Sequence, residues 1–135
     1  MNIIEVKDKK TIQKFLNLPY DIYKTDVNWI PHLKQDIEKV FDPLQNKAHA
    51  NGKIIRWILK DHNKIIGRVA AFINYEKPKN GGIGFFECIN NQKAANILFN
   101  VSRDWLINNG AEFMDGSINF GEKNMFWGIL TENFT

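Results

Sequence analysis

Hydrophobic positions along this chain recur with two different periods, and the switches between them mark the elements. Ile3 to Val6 is a short apolar run that predicts a strand. Asp8 stands in helix-capping position, and Ile12, Phe15 and Leu16 recur on one face of a first helix expected to end at Pro19 or in its last turn. Tyr20 to Lys24 suits a further turn. Asp26-Val27-Asn28-Trp29-Ile30-Pro31 has loop chemistry, with Pro31 at the first position of a second amphipathic helix carrying Leu33, Ile37, Val40 and Phe41. Asp42 to Gly52 turns polar and reads as an irregular crossing loop.

Ile54 to Lys60 and Lys64 to Asn74 flank the polar turn Asp61-His62-Asn63, which predicts an antiparallel hairpin. Glu76 to Gly82 is a charged connection ending in glycines. Ile83 to Ile89 then reads as a strand, Asn90-Asn91-Gln92 as a break, and Ala94, Leu98, Val101 and Trp105 as one face of a helix that Gly110 closes. Phe113 to Ile118 is a last strand, parallel to Ile83 to Ile89 through the right-handed crossover between them. The expected class is α/β, or α+β in its antiparallel part: one mixed sheet with helices on its faces. Gly121 to Thr135 is rich in Met, Phe, Trp, Ile and Leu without an obvious partner element, so either a missing part of the domain or a second copy is expected to cover it.

With 135 residues, the chain is long enough for one domain with a real core. At 44% hydrophobic residues, with ten Phe and four Trp, disorder is excluded. No apolar run approaches the ~18 residues of a membrane span, and the N-terminus lacks the order of a signal peptide, so a soluble cytoplasmic protein without a membrane partner is expected. A net charge of +3, from 18 basic and 15 acidic residues spread along the chain, gives no footprint for nucleic acid. Lys7, Lys9, Lys10 and Lys14 read as the solvated face of the first helix.

Cys88 is the only cysteine, which excludes an internal disulfide and a cysteine-based zinc cluster. It reads as a buried inert thiol or a nucleophile, the former fitting its apolar strand. His32, His49 and His62 lack ligand spacing, and no metal is expected. Gly81-Gly82-Ile83-Gly84 precedes a strand rather than a helix, so it is no dinucleotide loop, and no Walker sequence occurs. The break at Asn90-Asn91-Gln92 is the candidate site. Asn is a preferred N-cap, and the first N–H groups of the helix, from Gln92 to Ala95, point back past the strand end. Such a junction is either an anion site, suited to phosphate, or an ordinary strand-to-helix turn.

Five short motifs narrow the reading. Phe15-Leu16-Asn17-Leu18-Pro19, Asp26 to Pro31, Gly67-Arg68-Val69-Ala70-Ala71, Gly84-Phe85-Phe86-Glu87 and Gly116-Ser117-Ile118-Asn119-Phe120 occur in this order across nearly the whole chain. They resemble the motifs of a group of uncharacterised bacterial proteins similar to the GNAT superfamily of acyl-CoA-dependent N-acyltransferases. Members of that group are longer, so the resemblance implies a single GNAT-like domain over residues 1–135, incomplete at its C-terminus. It further implies acetyl-CoA or another acyl-CoA as co-substrate, and a small-molecule amine or peptide as acceptor. In GNAT enzymes the fourth and fifth strands splay apart and the pantetheine arm lies between them. Carried onto this chain, the arm follows Phe86, Glu87, Cys88 and Ile89, and the pyrophosphate meets the N–H groups of Gln92, Lys93, Ala94 and Ala95. Glu87 becomes the candidate base for the acceptor amine, with a carboxylate paired to a neighbouring Arg or Lys as the alternative. Trp29 and Asn119 are candidate substrate-pocket residues, although anchoring the core suits Trp29 better. A non-catalytic GNAT-fold module that binds a partner or itself is the competing expectation.

Overall fold

The computed structural model describes residues 1–25 and 34–115. Its elements in chain order are β1 (Asn2–Glu5), α1 (Lys9–Ile22), α2 (Lys34–Phe41), a 3-10 turn (Lys47–Asn51), β2 (Gly52–Asp61), β3 (Lys64–Asn74), β4 (Asn80–Cys88), α3 (Gln92–Asn108) and β5 (Phe113–Asp115). Among the described residues the strands form one sheet in the order β1-β2-β3-β4-β5, antiparallel except for the parallel β4–β5 pair. This is the mixed sheet that the hydrophobic pattern predicts. No described helix is long and apolar enough to cross a membrane.

The hairpin closes on His62 and Asn63, between the paired residues Asp61 and Lys64. Its strands alternate between two cores. Trp57, Leu59, Val69, Ala71 and Ile73 face α3 with Ile83 and Phe86, while Ile58 and Phe72 face α1 and α2 with Phe15, Leu16, Ile37 and Val40. Gly81 and Gly82, expected in the connection, belong to β4. A Cβ on Gly81 would stand 2.6 Å from Leu106 Cδ2, and one on Gly67 would stand 2.6 Å from Leu98 Cδ1. Bare backbone at these two places lets α3 lie close on the sheet.

α1 begins as expected, with Asp8 Oδ1 accepting from Thr11 N at 2.8 Å in a capping box. Its end differs from expectation, because Pro19 lies inside the helix rather than terminating it. Proline cannot supply the N–H that would bond the carbonyl of Phe15. Arg68 of β3 supplies a donor instead, its Nη1 lying 2.7 Å from Phe15 O. A long-range side chain thus repairs the gap, and α1 continues to Ile22 with Tyr23 as its C-cap. The expected irregular loop after α2 also carries more order: His49 Nε2 and Asn46 Nδ2 both lie 2.9 Å from Val40 O, closing the C-terminus of α2. α3 ends at the expected glycine, Gly110, whose φ is 94°. Gly110 N donates to Ile107 O and Ala111 N to Leu106 O, at 3.0 and 2.9 Å, the paired bonds of a Schellman cap.

Candidate active site at the end of β4

The strand β4 is interrupted just before its C-terminal end. Arg68 pairs with Glu87 and Ala70 with Gly84, so Phe85 and Phe86 together oppose Val69 in a bulge. Phe85 carries the bulge at a φ of 53°, a left-handed conformation that is strained for a bulky residue. Arg68 holds it there: Nε donates to Phe85 O at 3.0 Å while Nη1 reaches Phe15 O. The guanidinium also lies over the Phe15 ring, 4.6 Å from its centroid. Arg68 is buried, and burial lowers its pKa to about 10, opposed by the charge of Glu87, so it stays a cation at neutral pH.

Beyond the bulge, Glu87 turns toward α1. The Tyr23 hydroxyl donates to its Oε2 at 2.7 Å. Burial raises the Glu87 pKa, while the Tyr23 hydrogen bond and the nearby charge of Arg68 pull it back down. Among the described ion pairs Glu87 has none, so Arg68 acts on it through space while its own donors go to backbone carbonyls. A partly desolvated carboxylate of raised pKa is a stronger proton acceptor than an exposed one.

The neighbouring candidates divide between the two faces. Phe86 is buried in the α3 core, stacked on Phe99 with centroids 4.8 Å apart and planes 7° apart, which takes its side chain out of a ligand's reach. Cys88 ends β4, and burial pushes its thiol up to about 11, which leaves it protonated and inert at neutral pH. Ile89 N donates to Ile66 O at 3.0 Å, extending the β3 contact by one residue.

Asn91 caps α3, its Oδ1 accepting from Ala94 N at 3.1 Å, and Ala95 N donates to Asn91 O at 3.1 Å. Of the four N–H groups expected to face phosphate, those of Ala94 and Ala95 are therefore engaged by the cap residue. Gln92 and Lys93 keep the two donors that precede the first helical bond. Both of their side chains are exposed, and Gln92 Nε2 lies 2.9 Å from Asn96 Oδ1. The methyl groups of Ala94 and Ala95 are buried against the sheet, clear of the space in front of the helix.

Trp29 and Asn119 lie outside the described residues, as do His32, the motifs at 26–31 and 116–120, and the apolar segment 121–135. The described pairing of β4 with β5 covers Asn80 to Gly82, opposite Phe113 to Asp115. The described residues hold no group of three or more His, Cys, Asp or Glu suited to a metal ion. Two residues of the cluster have no role that sequence alone assigns. Arg68 carried a usable signal, as the lone charge inside the apolar run Ile65 to Ile73, whereas Tyr23 has no local signal because its partner is 64 residues away.

No family model matches the chain. Protein YghO of Escherichia coli K12 is 30% identical over 137 residues, which cover 94% of this chain and 33% of that protein. The bacterial ceramide synthase of Caulobacter vibrioides is 23% identical over 141 residues, 97% of this chain and 37% of that enzyme. The chain spans about a third of the length of these relatives. Among solved structures, a tandem GNAT protein from the clavulanic acid biosynthesis pathway superposes with a TM-score of 0.66 at 11% identity, over 82% of this chain and 34% of that one. The chain has the GNAT fold. The aminoglycoside 6'-N-acetyltransferase from Enterococcus faecium shares it, with a TM-score of 0.61 at 12% identity over 87% of this chain and 61% of that one. In the GNAT fold, β4 and α3 are the strand and helix to which the motif resemblance assigned the pantetheine arm and the phosphates.

Proposed function

We propose that the protein is an acyl-CoA-dependent N-acyltransferase, or the part of one that holds the thioester and the base. The observation that carries this reading is Glu87, a carboxylate with raised pKa at the end of β4, four residues before the Asn91 cap of α3. The acyl-CoA would lie along the backbone of Phe86 to Ile89. Its phosphates would meet the N–H groups of Gln92 and Lys93, with the Lys93 ammonium beside them, and the inward-facing methyls of Ala94 and Ala95 leave room for them. Acyl-CoA supplies an activated thioester. Glu87 takes the proton that the acceptor nitrogen loses as the C–N bond forms, the C–S bond breaks to release CoA thiolate, and a proton passed on from Glu87 or taken from solvent converts that to the thiol. Two similarities support amide formation: one GNAT-fold neighbour is named an N-acetyltransferase, and one relative is named a ceramide synthase, ceramides being amides.

Thermal-shift titration with acetyl-CoA and with a long-chain acyl-CoA tests the reading. Ligand at ~100 times its dissociation constant adds about 2.7 kcal/mol, enough to raise the melting temperature by several degrees. No shift with either ligand at millimolar concentration removes the co-substrate from this chain. Whichever thioester binds is then assayed with amines for thiol release.

A second reading, association without catalysis, draws on exposed apolar side chains, with Phe113 of β5 63% and Ile107 of α3 58% exposed. A second copy of the chain is the proposed occupant. Light scattering that returns a monomer at all concentrations removes it.

A further inference from the structure

We infer that Tyr23 is a positioning residue for Glu87, its hydroxyl fixing which carboxylate oxygen remains open to an incoming amine. The inference rests on reading Glu87 as the base. Tyr23 is the C-cap of α1, and its backbone N–H donates to Pro19 O at 2.9 Å, so the end of the helix fixes the ring's origin. Its hydroxyl lies 2.7 Å from Glu87 Oε2. With Oε2 held, Oε1 is the oxygen left to accept a proton from substrate.

The groups facing Glu87 among the described residues come from two elements: Tyr23 at the end of α1, and Arg68 on β3, its cross-strand partner. Arg56 on β2 acts one step further away, on Arg68. Arg68 already gives donors to Phe85 O and Phe15 O, which leaves Tyr23 as the group that bonds the carboxylate directly. A phenol donor stabilises the charged carboxylate and restricts its rotation about the last side-chain bond.

Tyr23→Phe tests this, since it removes one oxygen and keeps the ring. The carboxyl of Glu87 is followed by carbon NMR through a pH titration in both proteins, and kcat/KM is profiled against pH with the thioester that binds. The NMR midpoint of Glu87 is expected to rise in Y23F, with the acid limb of the rate profile moving upward by the same interval. An unmoved midpoint in a folded Y23F protein overturns the inference. If the midpoint rises but Glu87→Gln keeps full turnover, Tyr23 holds the carboxylate as stated and the reading of Glu87 as base falls instead. Should Y23F not fold, 3-fluorotyrosine at position 23, a more acidic phenol, is expected to lower the midpoint, and no change there overturns the inference equally.

Discussion

Arg68 and Phe15 are 53 residues apart in sequence and are joined by a 2.7 Å hydrogen bond from a guanidinium to a helix carbonyl. Pro19 makes that bond available, because it withholds the N–H that Phe15 O would otherwise accept. The same guanidinium holds the strained peptide at Phe85, so one buried cation ties the first helix to the bulge that precedes Glu87.

Removing it therefore has two consequences. Arg68→Met leaves two backbone carbonyls without their donor in a buried place and is expected to cost about 3 kcal/mol in urea unfolding. Arg68→Lys restores little, because one ammonium does not reproduce the planar fork that reaches both carbonyls. Pro19→Ala offers Phe15 O a helical donor again. Its benefit is expected to be larger in the R68M background than in the wild type, by about 1 kcal/mol in a double-mutant cycle. Additivity within about 0.3 kcal/mol would show that the two residues do not share that carbonyl.

Glu87 gives a pH-dependent stability of definite sign. Burial raises its pKa in the folded state above the ordinary value of 4.5, so folding favours the protonated carboxyl. That contribution is fully present below the unfolded-state value and is lost as pH rises through the raised folded-state value. Glu87→Gln lacks this loss. The melting temperature of E87Q relative to wild type is expected to increase from about pH 4 to about pH 8, while turnover falls by about 100-fold or more. A difference that stays flat with pH contradicts the desolvated carboxylate.

These two cases show what could be read ahead of the structure. The hairpin, the capped start of α1 and the Asn91–Gly110 limits of α3 depend on residues within a few positions of one another, and the sequence pattern predicts them. Pro19 predicts a stop on local sequence alone, because its compensating donor is 49 positions away on β3. Gly81 has the local signature of a linker, because its packing partner, Leu106, lies across the crossover. Glu87 stood out as a strand carboxylate, but the residue that bonds it could not be read from strand periodicity.

At the junction, Lys93 is the exposed cation beside the unengaged start of α3. Lys93→Glu is expected to weaken acyl-CoA binding about tenfold, reversing a charge at a helix N-terminus, and the loss should shrink as salt is added. Calorimetric titration measures both. Equal affinity for K93E and wild type at low salt would place the phosphates elsewhere.

Gly67 offers a packing test away from the chemistry. A methyl group there would meet Leu98 Cδ1 at 2.6 Å, so Gly67→Ala is expected to destabilise by about 1–3 kcal/mol through displacement of α3. Adding Leu98→Ala should cost less in that background than alone, which thermal unfolding of the three variants would show. A neutral G67A means that α3 moves freely on the sheet.

The proline inside α1 sets a length as well as a bond. From the Phe15 carbonyl clamped by Arg68 to the tyrosine at position 23 is about 12 Å of helix, eight residues at about 1.5 Å each. One end is pinned to the strand beside the glutamate and the other must arrive at that glutamate, so α1 works as a gauge block between two fixed points. Adding a single residue to that span would swing the phenol about 100° around the axis, with every side chain of the pair still present.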